Sequence, residues 1–496
     1  MKNSPWILVI AACALCGLPE GSARAEDAGK SKALPPIPLS LNEVHAWIDR
    51  SHPLLKGAGT EKVSARGKML KALGAFEPIL VNDTEIERFV DKSTSKTQSV
   101  GFNDTLVEAR TPWGFRGSAG VRQAIGDAKI PDLSFGNGNQ QVILGGFLPL
   151  LKGLMINPEN AELQRSELAD PRAEVKISQT RQDLFLAAAS QFWDWVSAAK
   201  FVDVQRRALG VAEERLRQVE GRAKAGAVAP LDVVEAGQEV QRRREIAIAA
   251  QRAVEQEQYK MSMFLWENQT PTAPQLERVP DFPPPAAVPT ADAVKADKLQ
   301  AKSDRPEIRE VDIEAKVNNI DLELAKNNLL PSFDLEAAPA RAPEKFVLGL
   351  GYRFGAELRI PILQRRSRGE VMEAQAQADR LVLVQKYREQ QVVVDVDNAV
   401  SAIERAKERV AAAAESLRMA KTLEEGERFR FSLGATSVLF VNLRERNSVD
   451  SEMQLVRAKA DYQKALALYQ WATGSWAKSQ PSAVPVNYRV GASFSK

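Results

Sequence analysis

Cysteine is almost missing from this chain. The only two, Cys13 and Cys16, lie in an apolar run near the start, so a mature form without that run holds no disulfide and no cysteine-bound metal. Histidine is as scarce. His45 and His52 are the only two, both near the start of the first helix, where a surface or core role is the plain reading and a metal ligand the remote one. Charge of one sign is also absent: a net charge of +3 over 496 residues gives no basic field for nucleic acid. Aromatics are only 6% of the chain, while alanine, glutamate, glutamine and arginine abound, a composition of long helices rather than of a sandwich. After the leader there is no uninterrupted apolar stretch of the ~20 residues a spanning helix needs. The nearest, 184–202, is broken by Gln191, Asp194 and Lys200. If the mature chain crosses a membrane, it must do so as strands of a closed barrel.

Catalytic motifs are missing too. There is no P-loop, no zincin helix and no EF-hand loop. Gly117-Ser118-Ala119-Gly120 misses the nucleophile elbow, because Arg116 stands where the first glycine belongs. The sequence reads as a non-enzyme with no cofactor.

The first 25 residues read as an export signal. Lys2 supplies the positive start, 6–18 the apolar run, and Ala23-Arg24-Ala25 the small-x-small cleavage site. A rival is Ile10-Ala11-Ala12-Cys13, a passable lipoprotein box that would place lipid on Cys13. Both take the protein out of the cytoplasm.

What the chain does have is itself, twice. His52-Pro53 recurs as Arg305-Pro306 and Pro78 as Pro331, both displaced by 253 positions. Pro149 recurs as Pro361, displaced by 212, and Gly226-Ala227 as Gly434-Ala435, displaced by 208. A repeat this long is a duplicated subdomain rather than a solenoid unit. The drop in offset leaves about 41 extra residues between Pro78 and Pro149.

Between Gly369 and Gly426 there is neither glycine nor proline. Val392, Val396, Ala399, Ile403, Ala406, Val410, Ala413, Leu417 and Ala420 recur there at spacings of four and three, the heptad of helices packed side by side. Strand character lies between Pro331 and Pro361. From Leu348 to Ile360 apolar residues alternate with glycine or charge, as in a barrel strand with lipid on one side and a polar lumen on the other. Phe333, Leu335 and Ala337 make a shorter alternation, and 342–345 a hairpin loop between the two.

Each repeat therefore reads helix, strand, strand, long helix, turn, long helix. The first occupies 40–268, with strands at about 79–149 and a helical hairpin at about 172–266. A proline-dense extended linker follows at 269–290. The second repeat occupies 291–474, with strands at about 332–360 and a hairpin at about 366–474, then a tail at 475–496. The extra segment of repeat one, about 83–120, suits an extended loop or a longer hairpin. Two strands per repeat give four per chain, too few for a barrel alone, so closure needs several copies in a cyclic assembly.

The ordered set Arg305-Pro306-Glu307, Ala325-Lys326, Pro361-Ile362-Leu363, Arg428 through Gly434, Ala460-Asp461-Tyr462 and Gly474 resembles the TolC-like outer membrane efflux protein family. Repeat one matches more weakly, through Leu41-Asn42-Glu43, Pro53, Pro149 and Gly226. The resemblance implies a mainly α chain with a transmembrane β part. It forms a homotrimer whose twelve-stranded barrel sits in outer-membrane lipid and continues into a long periplasmic α-helical barrel. The implied partners are a periplasmic adaptor (membrane fusion) protein and an inner-membrane transporter of RND or ABC type, or a type I secretion transporter.

The resemblance also implies where the adaptor docks: at the tip turns, Gly226, Ala227, Pro230 and Leu231 in repeat one and Gly434, Ala435, Thr436 and Leu439 in repeat two. Some members close the pore just past the second tip with aspartates. Here Phe440 and Leu443 stand at those positions, while Asp232 is the repeat-one equivalent of Phe440. The expectation is an apolar gate in place of an acidic ring, with side chains that merely pack between helices as the alternative.

Two non-pore readings compete. A periplasmic adaptor needs one hairpin between β-rich modules, and a coiled-coil scaffold needs no amphipathic strand; the chain has two hairpins and such a strand.

Overall fold

A computed structural model describes residues 37–90, 96–128, 139–339 and 352–477. The expected leader with Cys13 and Cys16, the expected loop 342–345, Leu348, Leu350 and the tail beyond 477 lie outside the described residues.

Ser40 opens the first repeat by accepting the Glu43 backbone N–H at 3.1 Å, which caps α1 (Leu41–Ser51). Pro53 then starts α2 (Pro53–Leu73), its missing N–H costing nothing in a first turn. Four strands follow: β1 (Ile79–Val90), β2 (Thr97–Arg110), β3 (Arg116–Gly126) and β4 (Gln140–Pro149). Next come α3 (Pro158–Glu167), α4 (Ala169–Lys224) and α5 (Pro230–Ser262). The repeat ends in a two-residue ladder, β5 (Trp266–Glu267) with β6 (Thr270–Pro271). Asn268 and Gln269 make its turn at positive φ, as tight hairpins require.

The second repeat restates the design. α6 (Ala291–Asp304) is capped by Thr290, and Pro306 starts α7 (Pro306–Asn327). The junction residues His52 and Arg305 share φ −65°, with ψ 125° and 126°, because a residue before proline is pushed out of the helical region. β7 (Ser332–Pro339) and β8 (Tyr352–Arg359) precede α8 (Arg365–Ser432) and α9 (Val438–Ala472). α4 has 56 residues and α8 has 68, or roughly 85 and 100 Å at ~1.5 Å per residue. Among the described residues no helix is long and apolar enough to cross a membrane.

The strands form one antiparallel sheet in the order β1-β2-β3-β4-β7-β8. This corrects the expected four strands per chain, on which the twelve-stranded barrel rested, to six. The extra residues of repeat one are a whole additional hairpin. Of the two expectations for this segment, loop or hairpin, the hairpin forms, but its strands could not be delimited by pattern because its faces are mixed: Asn82, Thr84, Asn103 and Thr105 share one face by register, while Val81, Phe102 and Leu106 share the other with Asp83 and Asp104. Strict alternation is lost when both faces carry both kinds of residue.

The largest core gathers where α1, the first half of α4 and the end of α5 meet, around Ile48, Phe192, Trp195 and Met261. The linker 269–290 lies against it as a strap. Leu39 donates its N–H to the Arg278 carbonyl at 2.8 Å, the Tyr462 hydroxyl donates to the Ala286 carbonyl at 3.1 Å, and Phe282 stacks on Trp193. In the heptad of α8, Val392 to Val410 are buried, whereas Ala413, Leu417 and Ala420 are only half-buried.

Candidate functional site

Two regions carry the functional geometry: the faces of the sheet and the joined ends of the helical hairpins. Directly opposed residues share a face, so register sorts the side chains. Phe333, Leu335 and Ala337 stand opposite Leu358, Ala356 and Phe354. The same face continues through Leu144 and Val142 on β4, Ala119 and Val121 on β3, Val107 on β2 and Leu80 on β1. All these except the alanines are large apolar side chains, and those for which exposure is highest, Phe354 at 81% and Leu80 at 74%, are in the open at opposite edges. On β1 and β2 this face also carries Asn82, Thr84, Asn103 and Thr105, and on β3 Gln123; exposed apolar side chains spread over all six strands mark a surface suited to a non-aqueous partner. The opposite face is charged and internally paired: Arg353 with Glu336 at 2.9 Å, Arg359 with Glu357 at 2.8 Å, and Arg122 with Asp104 at 2.6 Å.

At the far end, both tip turns are built alike. Ala227 N–H donates to the Arg222 carbonyl and Gly226 N–H to that of Ala223; Ala435 and Gly434 repeat this with Arg430 and Phe431. These are Schellman closures, with Gly226 at φ +70° and Gly434 at φ +74°. The two tips are brought together. Val219, Ala236, Phe431, Val438 and Val441 form one small core from all four long helices, and the Arg222 guanidinium lies 4.8 Å from the Phe431 ring centre. Gly226, Ala227, Pro230, Leu231, Gly434, Ala435 and Leu439 are exposed there, and Thr436 is half-buried.

Asp232 serves its own helix. Its carboxylate accepts the Ala229 backbone N–H at 3.2 Å, closing the start of α5. Phe440 and Leu443 are 54% and 45% exposed, so a packed position within the chain does not account for them.

Sequence reading missed two buried carboxylates just above the tips. Glu445 of α9 accepts from Arg215 of α4 and from Arg428 of α8, the latter at 3.0 Å. Glu239 of α5 accepts from Arg243 at 2.9 Å and from Arg446 of α9. Burial pushes the Glu239 carboxyl up, but Arg446 and Arg243 outweigh it and hold it below the usual range. Burial pulls the Arg215 guanidinium down from its ordinary value despite Glu445. Partners up to 230 positions apart leave no local signal. A groove of about 1080 Å³ between α4 and α8 opens beside them, lined by Arg207, Arg217, Arg222 and Phe431.

His45 and His52 hold structural positions. His45 stacks on Phe185, with ring centres 4.1 Å apart, beneath the edge of Trp476. His52 accepts the Leu54 N–H and turns its other ring nitrogen to the Met263 carbonyl.

Paired long helical hairpins joined to an antiparallel sheet make a fold that this chain shares with solved outer-membrane channels. The chain is similar to the CmeC outer membrane channel of Campylobacter jejuni, with 13% identity and a TM-score of 0.64 over 89% of this chain and 87% of that one. It is similar to a membrane protein of Pseudomonas aeruginosa, at 15%, 0.67, 91% and 93%, and to the open MtrE outer membrane channel of Neisseria gonorrhoeae, at 16%, 0.62, 88% and 88%. At such identities the likeness is one of fold. No curated protein matches the sequence. Residues 299–474 match the outer membrane efflux protein family; the second repeat is a domain of that family, and the whole chain has the fold of its TolC-like channels. The family and fold are those of pore proteins without catalytic activity.

Proposed function

We propose that this protein is the outer-membrane exit duct of an efflux assembly. Three copies join through their sheet edges into a barrel, and the paired hairpins form a tunnel wall through the periplasm. The tips, at Gly226, Ala227, Pro230 and Leu231 and at Gly434, Ala435, Thr436 and Leu439, receive a periplasmic adaptor, which couples the duct to an inner-membrane transporter of RND or ABC type. The observation that supports this reading is the sheet: one face carries exposed apolar side chains from β1 to β8, interrupted on β1 and β2 by mutually paired amides and hydroxyls, the other face carries ion pairs, and among the described residues the edges at β1 and β8 are open. A sheet immersed in lipid cannot leave its edges unpaired, and neither a soluble adaptor nor a coiled-coil scaffold has use for such a face. Tip variants test the docking: Gly434→Trp should abolish adaptor capture while the assembly still forms, and unimpaired capture would refute it.

The closed tip is an apolar constriction built on Phe440 and Leu443, gating by exclusion of water. Asp232, at the position of repeat one equivalent to Phe440, stands at the gate as the cap of α5 through the Ala229 N–H. Multivalent cations on the periplasmic side should leave the conductance of the purified assembly unblocked, and Phe440→Asp should introduce block. Strong block of the unaltered protein would sink the gate.

A further inference from the structure

The additional hairpin decides the size of the barrel. β3 is hydrogen-bonded on both sides, to β2 over residues 116–126 and to β4 over 116–123, so it offers no edge to a neighbouring copy. Within the described residues the free edges belong to β1 and β8.

Three further features tie β1 and β2 into the wall. β1 is paired along its whole length, Ile79 through Val90. Arg122 of β3 grips Asp104 of β2 with two hydrogen bonds, at 2.7 and 2.6 Å, and its guanidinium lies 5.0 Å from the Phe102 ring centre on the same face. Four outward polar residues of the hairpin satisfy one another: Asn82 bonds Asn103 at 3.1 Å and Thr105 at 2.8 Å, and Asn103 bonds Thr84 at 2.5 Å. That removes much of the cost of placing amides against lipid.

Direction agrees. β1 leaves the helical end after α2, and β8 returns to it before α8. β1 of one copy therefore meets β8 of the next antiparallel, as in every other pair of the sheet.

We infer that the β1–β2 hairpin is part of the barrel wall and that the partner for edge β1 is β8 of a second copy of this chain. Resting on the three-copy reading above, six strands per chain make an eighteen-stranded barrel in place of a twelve-stranded one. Since diameter grows roughly linearly with strand number, the lumen is about half again as wide as four strands per chain would give.

Cryo-electron microscopy of the detergent-purified full chain, with paired cysteines, tests this. Cysteines at Leu80, Asn82, Thr84 or Ile86 combined with cysteines at Phe354, Ala356 or Leu358 should give covalent links between copies, and Val121→Cys with the same β8 set should give none. The expected map has threefold symmetry and eighteen strands. A threefold particle with twelve strands, or β3–β8 links between copies, overturns the inference and leaves the duct standing. Absence of any threefold closed particle overturns both.

Discussion

His45 has no charged neighbour strong enough to keep it protonated. Burial holds its imidazole down to about 4, against an ordinary 6.5; a backbone hydrogen bond to Phe185 and the Asp49 carboxylate pull the other way, and Arg181 adds to the lowering. The unfolded chain therefore binds a proton that the folded chain refuses between these values. Stability from this group is complete above about pH 6.5 and is lost as pH falls towards 4, on the order of 3 kcal/mol per chain. His45→Phe keeps the stack on Phe185 and removes the titration, so denaturant midpoints at pH 5 and pH 7.5 should converge relative to the unaltered protein; an undiminished gap would refute this origin. Nothing in the sequence marks His45 as buried, because its partners Phe185 and Trp476 lie far along the chain. The Arg215–Glu445–Arg428 cluster was equally hidden, whereas the two tip glycines were legible, since a glycine ending an apolar-periodic run has one common structural use.

Legibility at the level of elements followed the cleanness of the period. α8 could be read residue by residue because its seam repeats without a break, and its alanines mark where another helix approaches. Ala399 is fully buried in that seam, so Ala399→Leu forces extra volume into a filled position and should cost about 1–3 kcal/mol in unfolding free energy. A neutral result would mean the seam is loose. The turns give a second test. A Cβ at Gly226 or Gly434 meets nothing within 4 Å, so Gly→Ala at either site strains only the left-handed backbone, at roughly 1 kcal/mol. Equal small losses at both tips, measured by thermal unfolding, are expected from their matching geometry, and a large loss at one would reveal a contact that equal geometry does not predict. The β1–β2 segment could be read only as a loop or a hairpin, with no strand limits, for the opposite reason. Its outward face carries amides and hydroxyls that pair with each other, and its inward face carries Phe102 and Leu106 beside acids, so no period of two survives.

At the scale of the whole molecule, duplication fixes what is shared and insertion fixes what is particular. The shared part is the hairpin pair, closed at its far end by two equal turns over a common core. The particular part is the added strand pair, which leaves the helices unchanged and enlarges only the sheet. In the proposed duct the sheet supplies the wall in the membrane, the long helices the tunnel, and the joined tips the docking end. Closure needs more than one copy, because among the described residues a single chain leaves the edges of β1 and β8 open. The most direct test is the mass of the unheated particle extracted from outer membranes. Three chains, each of at most about 54.5 kDa, are expected, dissociating to one on boiling. A single chain recovered from the soluble periplasmic fraction would contradict the duct.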